Sequence, residues 1–345
     1  MKRYTTIILT LALVACSKSS VTFDEPAAIA IQPVSEGMTK AAVGATPTGQ
    51  ELLIWANYTD KGTNTNVGDT YLNRAVFAKD ATGLWTGKEQ EYFWPKSGTV
   101  ALSGCTSLPD AKGSISYNYS ENKIKVEGYK QSLNTAETVD FIWFNQTAPT
   151  NLDRTNENLA VVMNHALTWV TIQVKGFGGS EGWKVESITL KGVKDTGNLT
   201  CTTAGPVWDT VGQSGDNTDI TVFQAHTTGS TTDYFTLTGT ARDIENHPRG
   251  TVLIPQTPVR MEVKYHTTDS PSDGSNGNSP STLRSKILDL RISETPADNF
   301  WAAGKHYVYT VTFNPYKISF TVATDDTWAN NDTNVDEYVN EEIIP

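Results

Sequence analysis

Alternation of apolar and polar residues with a period of two is the dominant pattern along the chain. It places Val170, Ile172 and Val174 on one face of an extended segment. The same spacing recurs over residues 259–265, 307–313 and 318–322. Because successive side chains of a β-strand point to opposite faces, this spacing predicts strands with one buried face. No stretch of ten or more residues keeps an apolar stripe with the helical period of 3.6.

Clusters of Gly, Pro, Asn, Asp, Ser and Thr interrupt these strands at short intervals, as expected of an all-β fold built as sandwiches or barrels. A length of 345 residues exceeds what one sandwich usually holds, so two domains are predicted. The polar segment 145–153 separates the apolar strand 139–144 from the apolar run 159–174 and marks a boundary near residue 150. A second segment rich in Ser, Pro, Gly and Asn, 269–281, is predicted to be a hairpin tip.

The N-terminus has the order of an export signal. Two basic residues precede an apolar run over 7–15, which ends at Cys16. The run is too short to span a bilayer, which needs roughly 20 apolar residues. Residues 13–16, Leu-Val-Ala-Cys, resemble a bacterial lipobox, whose cysteine is acylated after cleavage; the alternative is an ordinary signal peptide with an incidental cysteine. The predicted organisation is a signal at 1–15, a β domain at 16–150 and a second β domain with an acidic tail at 151–345.

Charge excludes one class of partner. The chain has 27 Lys and Arg against 38 Asp and Glu, for a formal net charge of -11. Proteins that bind nucleic acid need clustered basic residues to displace counterions from phosphate, and the sequence has no basic stripe. We therefore predict no nucleic-acid partner.

Cys105 and Cys201 fall on opposite sides of the predicted boundary. Disulfides form in exported proteins, but the boundary would place these two in different domains. We predict that both are small buried apolar residues, with no bridge and no metal.

One sequence matches the nucleophile elbow of hydrolases, G-x-S-x-G, at residues 178–182. An elbow requires a helix after the turn, whereas residues 183–190 read as another strand. The match is therefore interpreted as a Gly-rich hairpin turn, and Ser180 is assigned no catalysis.

Metal and cofactor sites are not predicted. The five histidines, at positions 165, 226, 247, 266 and 306, lack the short spacings of metal sites. The segment 332–336 begins like a calcium loop, but Glu337 stands where glycine is needed and Ile343 where a bidentate glutamate belongs. A solvated tail is the prediction, and irregular calcium binding is the alternative.

The nine tryptophans offer a further candidate function. Trp85 and Trp208 are flanked by Gly, Thr, Asp or Pro, so they are candidates for exposed platforms that stack on sugars. Core filling is the simpler interpretation, because aromatic residues supply much of the buried area of sandwiches.

Five short segments, taken in order, carry a resemblance to a known family. They are Thr39-Lys40-Ala41, Tyr92-Phe93-Trp94-Pro95, Asn164-His165-Ala166-Leu167, Leu253-Ile254-Pro255-Gln256 and residues 301–309, which read W-A-A-G-K-H-Y-V-Y. Behind a lipobox, this series resembles the fimbrillins, the type V pilins of the Bacteroides group. The resemblance implies two transthyretin-like antiparallel β-sandwich domains and a surface fimbrial subunit that is not an enzyme.

The resemblance also implies assembly by strand exchange. A protease cuts after a basic residue, and the groove left by the removed N-terminal strand accepts a strand from a neighbouring subunit. Here the removed strand would be 28–31 and the processing residue Lys40; the alternative is that Lys40 is an exposed loop lysine without a role. The donated strand would carry Ile318, Phe320 and Val322, or be the terminal 338–339 and 343–344, although the tail lacks clean alternation.

The expected partners are therefore other fimbrial subunits and the outer membrane, reached through lipid on Cys16, with adhesion to host or bacterial glycans or proteins as an added role. No cofactor is expected. Whether the subunit forms the stalk, the tip or the anchor stays open.

The rival hypotheses are a surface glycan-binding lipoprotein, which an exposed aromatic pair on a concave sheet would favour, and a secreted hydrolase, which a convergent acid, base or nucleophile cluster would favour.

Overall fold

A computed structural model describes most of the chain after residue 26. The described ranges are 27–33, 51–59, 69–95, 98–132, 140–146, 158–209, 218–228, 231–244, 251–267, 282–325 and 338–343. Within them the chain forms 25 strands and a 3-10 helix at Asp110–Lys112, without an α-helix. The predicted all-β class is confirmed. In the same ranges no helix is long and apolar enough to cross a membrane.

The first sheet, sheet A, has eight strands. They are β1 (Ile31–Pro33), β2 (Glu51–Thr59), β3 (Asp69–Lys79), β4 (Trp85–Gly87), β5 (Thr99–Thr106), β8 (Ile142–Gln146), β9 (Leu159–Val161) and β10 (Asn164–His165). Their spatial order is β10-β8-β5-β2-β3-β4-β1-β9.

Sheet A curls until its two ends meet. Strands β9 and β10 stand at opposite ends of the order, yet only Val162 and Met163 separate them along the chain. Because consecutive Cα atoms are 3.8 Å apart, the two ends are within about 11 Å of each other. The curled sheet encloses a core of its own side chains, among them Leu52, Phe77 and Phe144.

Sheet B covers part of the outside of sheet A. Its strands are β6 (Ser114–Asn118), β7 (Lys123–Lys130), β13 (Thr196–Thr202) and β14 (Gly205–Asp209), in the order β14-β13-β7-β6. Leu53 and Trp55 of β2 share a core with Val126 and Leu199 of sheet B. Strand β2 is therefore buried on both faces, which is why its sequence is a continuous apolar run instead of an alternating one.

Strands from both sides of residue 150 share these two sheets. Strand β13 pairs with β7 from Thr196 opposite Lys130 to Cys201 opposite Ile124, and β9 and β10 close sheet A. The first sandwich thus contains strands from both predicted segments, 16–150 and 151–345. Alternation predicts that these strands have a buried face, but it does not identify the sheet that each one joins.

The second sandwich consists of sheets C and D. Sheet C contains β11 (Thr168–Gly176), β19 (Arg242–Asp243), β20 (Thr251–Leu253), β23 (His306–Asn314), β24 (Lys317–Asp325) and β25 (Tyr338–Ile343). Sheet D contains β12 (Lys184–Val193), β15 (Thr218–Gln224), β18 (Phe235–Thr236), β21 (Arg260–Thr267) and β22 (Thr282–Asp289). A separate ribbon joins β16 (His226–Thr228) and β17 (Thr231–Asp233).

The strand orders are β19-β11-β23-β24-β25 in sheet C, where β20 also pairs with β11, and β15-β12-β21-β22 in sheet D, where β18 also pairs with β12. Both sheets contribute to one large core, in which Tyr265 of β21 meets Phe313 of β23 edge to face. The predicted sandwich organisation is confirmed. Two pairs depart from the expected antiparallel arrangement, because β1 runs parallel to β9 and β11 runs parallel to β23.

Candidate subunit-assembly site

The N-terminal segment 27–33 occupies a slot in sheet A, between the wall formed by residues 85–94 and strand β9. We call this the N-terminal slot. Its main-chain hydrogen bonds, donor first, are Ile29 N to Tyr92 O at 2.6 Å, Trp94 N to Ala27 O at 2.9 Å and Leu159 N to Ala30 O at 2.7 Å. The segment is thus bonded on both sides, as an interior strand of a sheet.

Alternate side chains of this segment enter the core. Ile29 and Ile31 are 1% and 0% exposed, whereas Ala28 and Gln32 face solvent. The two isoleucines pack in the same cluster as Trp85. Burial of one such side chain contributes about 1.5–3 kcal/mol, so the two together contribute about 3–6 kcal/mol to holding the strand.

Strand β9 depends on the segment for its place in the sheet. Among the strands that the structure describes, β9 pairs with β1 alone, with Ile31 opposite Leu159. Removal of segment 27–33 would therefore open two strand edges at once, the wall at 85–94 and β9. The alternation of Leu159, Val161 and Met163, all buried, was the sequence signal for β9, but it reads equally well as the start of the second domain.

The wall of the slot contains the second of the family-like segments, Tyr92-Phe93-Trp94-Pro95. The Tyr71 hydroxyl donates to the carbonyl of Phe93, and Tyr92 stacks on Phe77 with ring centroids 5.5 Å apart. The chain turns back between β4 and this wall at Gly87, where a Cβ atom would stand 2.1 Å from the carbonyl oxygen of Gln90. Glycine is therefore required for the wall to take this position.

Three other family-like segments, 164–167, 253–256 and 301–309, meet where the two sandwiches adjoin. The main-chain hydrogen bonds that join them, donor first, are Gly304 N to Leu167 O at 2.8 Å, Trp301 N to Gln256 O at 2.8 Å and Trp169 N to Lys305 O at 3.0 Å. The buried indole of Trp301 donates to the Tyr309 hydroxyl over 2.9 Å. These contacts are structural.

Two of the predicted site residues, Cys16 and Lys40, lie outside the described residues, as do the segments 269–281 and 332–336. The predicted donor residues are described. Ile318, Phe320 and Val322 are 0%, 1% and 1% exposed, and their strand lies between β23 and β25. In this chain they fill the core of their own sandwich.

The G-x-S-x-G sequence forms a turn, as the sequence predicts. Ser180 Oγ donates to the carbonyl of Phe313 over 2.6 Å and accepts from the Phe177 amide over 2.9 Å. The hydroxyl is buried, and both of these hydrogen bonds are to main-chain groups. The turn is a link between sheets, since it joins β11 of sheet C to β12 of sheet D, so the prediction of a hairpin was wrong in that detail.

Three of the histidines that the structure describes have separate partners. His165 Nδ1 lies 2.6 Å from Asp140 Oδ2, and His266 Nε2 lies 2.7 Å from Glu186 Oε2. His306 stacks on Trp169 with centroids 3.5 Å apart. Across the ranges that the structure covers, no three His, Cys, Asp or Glu residues converge as metal ligands would.

The two tryptophans considered as sugar platforms are not exposed platforms. Trp85 is 1% exposed and belongs to the core beneath the N-terminal slot. Trp208 is half-buried; its indole donates to the Ala166 carbonyl over 2.7 Å and its ring meets Tyr129 edge to face. Their predicted exposure was wrong, and core filling is the role that the structure gives them.

Both cysteines are free and buried. The prediction of buried thiols is confirmed, but Cys105 and Cys201 share one core instead of lying in separate domains, because β13 joins the first sandwich. Burial raises the pKa of both thiols. Since the thiolate is the reactive form, neither group is poised to react.

Thiol chemistry gives a direct test of this packing. In a chain that begins after Cys16, Cys105 and Cys201 are expected to resist an aromatic disulfide reagent at pH 8 and to react fully in denaturant. The reason is that the raised pKa keeps both thiols protonated and burial blocks the reagent. The absorbance of the thiolate released from the reagent gives the number of cysteines that have reacted. Rapid reaction of either cysteine in the native protein would contradict the shared core.

Comparisons with known proteins agree with this architecture. A sequence profile described as fimbrillin-like matches residues 39–333. A fimbrial protein from Bacteroides vulgatus has a similar fold, with a TM-score of 0.59 and 13% identity over 88% of this chain and 99% of its own. A candidate cell adhesion protein from Bacteroides ovatus is similar with a TM-score of 0.53 and 14% identity, over 89% of this chain and 99% of its own.

A second candidate cell adhesion protein, from Bacteroides uniformis, has a TM-score of 0.52 and 16% identity over 88% of this chain and 99% of its own. No curated protein matches the sequence. At these identities the solved structures establish a common fold, while the profile covers most of the chain. The chain therefore belongs to the fimbrillin-like family.

Proposed function

We propose that this chain is a structural or accessory subunit of cell-surface fimbriae and that it assembles by strand exchange. In this proposal a protease cuts after Lys40, segment 27–33 leaves the N-terminal slot, and a strand of a neighbouring subunit replaces it. The observation that carries the proposal is the position of that segment. It is an interior strand of sheet A, yet it belongs to the part of the chain that lies before the cleavage residue.

The slot sets the requirements for the incoming strand. It offers main-chain groups on both sides, from 85–94 and from β9, so an extended strand of either direction gains two ladders of hydrogen bonds. The core beneath requires apolar side chains at three alternate positions, those that Ala27, Ile29 and Ile31 hold. After cleavage, the open slot would be prone to aggregation until another strand fills it. Cleavage and assembly therefore have to be coupled.

The family and the fold of its neighbours support a role as a fimbrial subunit at the cell surface. The proposal adds lipid on Cys16 as the outer-membrane anchor, other fimbrial subunits as partners, and adhesion to glycans or proteins as a secondary role. It contains no catalytic step. Donation of the strand that carries Ile318, Phe320 and Val322 would remove three buried side chains from the core of its own sandwich. We therefore propose that the N-terminal slot is filled by an apolar strand of a neighbouring subunit.

The mature N-terminus tests the proposal. Mass spectrometry of fimbriae sheared from cells is expected to find chains that begin at Ala41, while membrane fractions retain chains that begin at acylated Cys16. Lys40→Ala should abolish the shorter form and the polymer, and Lys18→Ala, a matched change closer to the lipid, should leave both intact. Filaments built only of chains that keep segment 27–33 would refute strand exchange.

A further inference from the structure

Two aromatic residues are strongly exposed at the end of the second sandwich that lies away from the first. Strand β11 begins at the junction, where Trp169 N donates to Lys305 O, and its nine residues run about 27 Å away from it. Phe177 follows that strand, and Tyr316 lies in the two-residue turn between β23 and β24. Phe177 is 64% exposed and Tyr316 81%, the two highest values among the large apolar residues that the structure describes. We call them the distal aromatic pair.

The two turns that carry the pair adjoin each other. The Phe177 amide donates to the carbonyl of Phe313 over 2.8 Å. A Cβ atom added at Gly178 would lie 3.0 Å from Asn314 Nδ2, so the first turn is in contact with the second. Asn314 Oδ1 in turn accepts from the Tyr316 amide over 3.0 Å. Both rings are therefore held on a hydrogen-bonded part of the main chain.

The exposure of these rings gains nothing for folding. An aromatic side chain stabilises a protein through the area that it buries, and most of Phe177 and Tyr316 remains in water. Turns of this kind ordinarily carry Gly, Asn, Asp or Ser. Neighbouring exposed apolar groups on a soluble protein mark a site of interaction.

The outer face of sheet C, which leads to the pair, has almost no charge. Its side chains are those that alternate with the core residues of β11, β23 and β24, and the strand register aligns them in three rows across the sheet. The rows are Thr171, Val308 and Ala323; Gln173, Thr310 and Thr321; and Lys175, Thr312 and Ser319. Of these nine side chains, Lys175 is the charged one.

The outer face of sheet D has the opposite character. There Lys191 lies against both Asp219 and Glu262, and His266 lies 2.7 Å from Glu186. Ionisable pairs thus cover the solvent side of one sheet of the sandwich. Hydroxyl groups and an amide cover the other.

Hydroxyl and amide groups are ordered on sheet C. Thr310 Oγ1 donates to Gln173 Oε1 over 3.2 Å, and Gln173 Nε2 donates to Asp243 Oδ1 over 2.9 Å. A hydroxyl both donates and accepts hydrogen bonds, so such a row matches the hydroxyl groups of a sugar chain. The face of an aromatic ring carries partial negative charge and attracts the C–H groups on the apolar side of a sugar ring.

Other classes of partner fit this surface less well. A nucleic acid or an anionic lipid surface requires clustered basic residues, and the three rows contain one lysine. A stable protein interface has a larger apolar centre than two rings provide.

We propose that the outer face of sheet C and the distal aromatic pair bind a neutral glycan chain. The rings of Phe177 and Tyr316 stack on sugar units, and the row of Gln173, Thr310 and Thr321 hydrogen-bonds to sugar hydroxyls. The inference rests on the adhesive role included in the proposed function, for which it names the ligand class and the site. The N-terminal slot takes no part in it.

Glycan binding by the uncleaved protein tests the site. A chain that begins after Cys16 is applied to immobilised linear hexasaccharides of neutral hexoses, α-linked and β-linked, and titration calorimetry measures the affinity for the one that is bound best. Wild-type protein is expected to bind at least one of them. Binding should persist in about 0.5 M salt, because salt screens interactions between charges and leaves stacking and neutral hydrogen bonds in place.

Variants of the pair give the specificity. Combined Phe177→Ser and Tyr316→Ser should lower the affinity at least about tenfold, since both stacking contacts are lost. Combined Phe177→Tyr and Tyr316→Phe keeps both rings and should keep the affinity. Neither double variant should lower the melting temperature, because the rings are exposed. Phe300→Ser, which removes a 45% exposed ring elsewhere, is the matched control and should not affect binding.

Thr321→Glu tests the sheet face separately from the rings. It places a carboxylate in the middle row beside Thr310 and should also lower the affinity, with the distal aromatic pair intact. Equal affinity of this variant and the wild type would limit the site to the two rings and overturn the part of the proposal that concerns sheet C.

Four further results would overturn the proposal. The first is absence of binding to every hexasaccharide, and the second is equal affinity of wild type and the double serine variant. The third is binding that is lost in salt, which would indicate attraction of an acidic ligand to Lys175. The fourth is a wild-type dimer that the double serine variant cannot form and that no sugar displaces, which would make the pair a contact between copies. Because the uncleaved chain is used, each result is independent of cleavage after Lys40 and of strand exchange.

Discussion

Replacement of Ile31 by aspartate is expected to expel segment 27–33 from its slot and to destabilise the first sandwich by about 4 kcal/mol or more. The side chain is 0% exposed among apolar neighbours, so the substitution both loses the burial of an isoleucine and brings an unpaired carboxylate into the core. The loss of stability should be confined to the first sandwich. Hydrogen exchange by mass spectrometry should show faster exchange in the wall at 85–94 and in β9, while sheets C and D remain protected.

Gln32→Asp is the matched control for this experiment. Gln32 is the next residue of the same strand and faces solvent, so the same carboxylate should change the free energy of unfolding by no more than about 0.5 kcal/mol. Equal effects of the two substitutions would show that the strand is not held by its core-facing side chains. In that case the slot could not select an incoming strand by its apolar pattern.

Trp301→Ala is expected to have an effect of similar size on the second sandwich, about 3–5 kcal/mol in the free energy of unfolding. The indole is 0% exposed, packs against Tyr309 and donates a hydrogen bond to its hydroxyl, while its backbone bonds to Gln256. The alanine variant would leave a large cavity and an unpaired buried hydroxyl. Denaturant unfolding followed by circular dichroism measures the loss.

Tyr309→Phe separates the hydrogen bond of this pair from its packing. The variant keeps the ring but leaves the Trp301 indole nitrogen without its acceptor, so a smaller loss of about 1–3 kcal/mol is expected. Should Trp301→Ala cost no more than Tyr309→Phe, the cavity would have to be filled by relaxation of the surrounding core. The family-like segment at 301–309 would then be less important for stability than its burial indicates.

The strands could be predicted from the sequence because the alternation of apolar and polar residues depends only on residues that are close together in the chain. The alternation at 307–313 and 318–322 became β23 and β24 with the predicted faces buried, and Ser180 proved to be a turn residue. The wall of the N-terminal slot was also marked in the sequence, by the aromatic segment at 92–95. These features depend on residues that are close together in the chain.

Pairing between distant strands could not be predicted in the same way. The apolar residues of β9 read as the start of a second domain, and nothing in the hairpin of β13 and β14 indicated that it joins β7. A strand with one apolar face can complete either sandwich, because alternation specifies burial but not a partner. Trp85 was misjudged for a related reason, since its polar neighbours in sequence are not its neighbours in space.

The hairpin of β13 and β14 has a consequence for biogenesis. Residues 196–209 pack into the core that residues 51–59 begin, and Val252 and Ile254 pack into it as well, so this core cannot be completed until about 250 residues have been synthesised. Contacts that span so much sequence slow folding and leave apolar surface uncovered during the delay. We therefore expect this chain to need a holding chaperone from the time that residues 51–59 are made until the last residues of this core are in place.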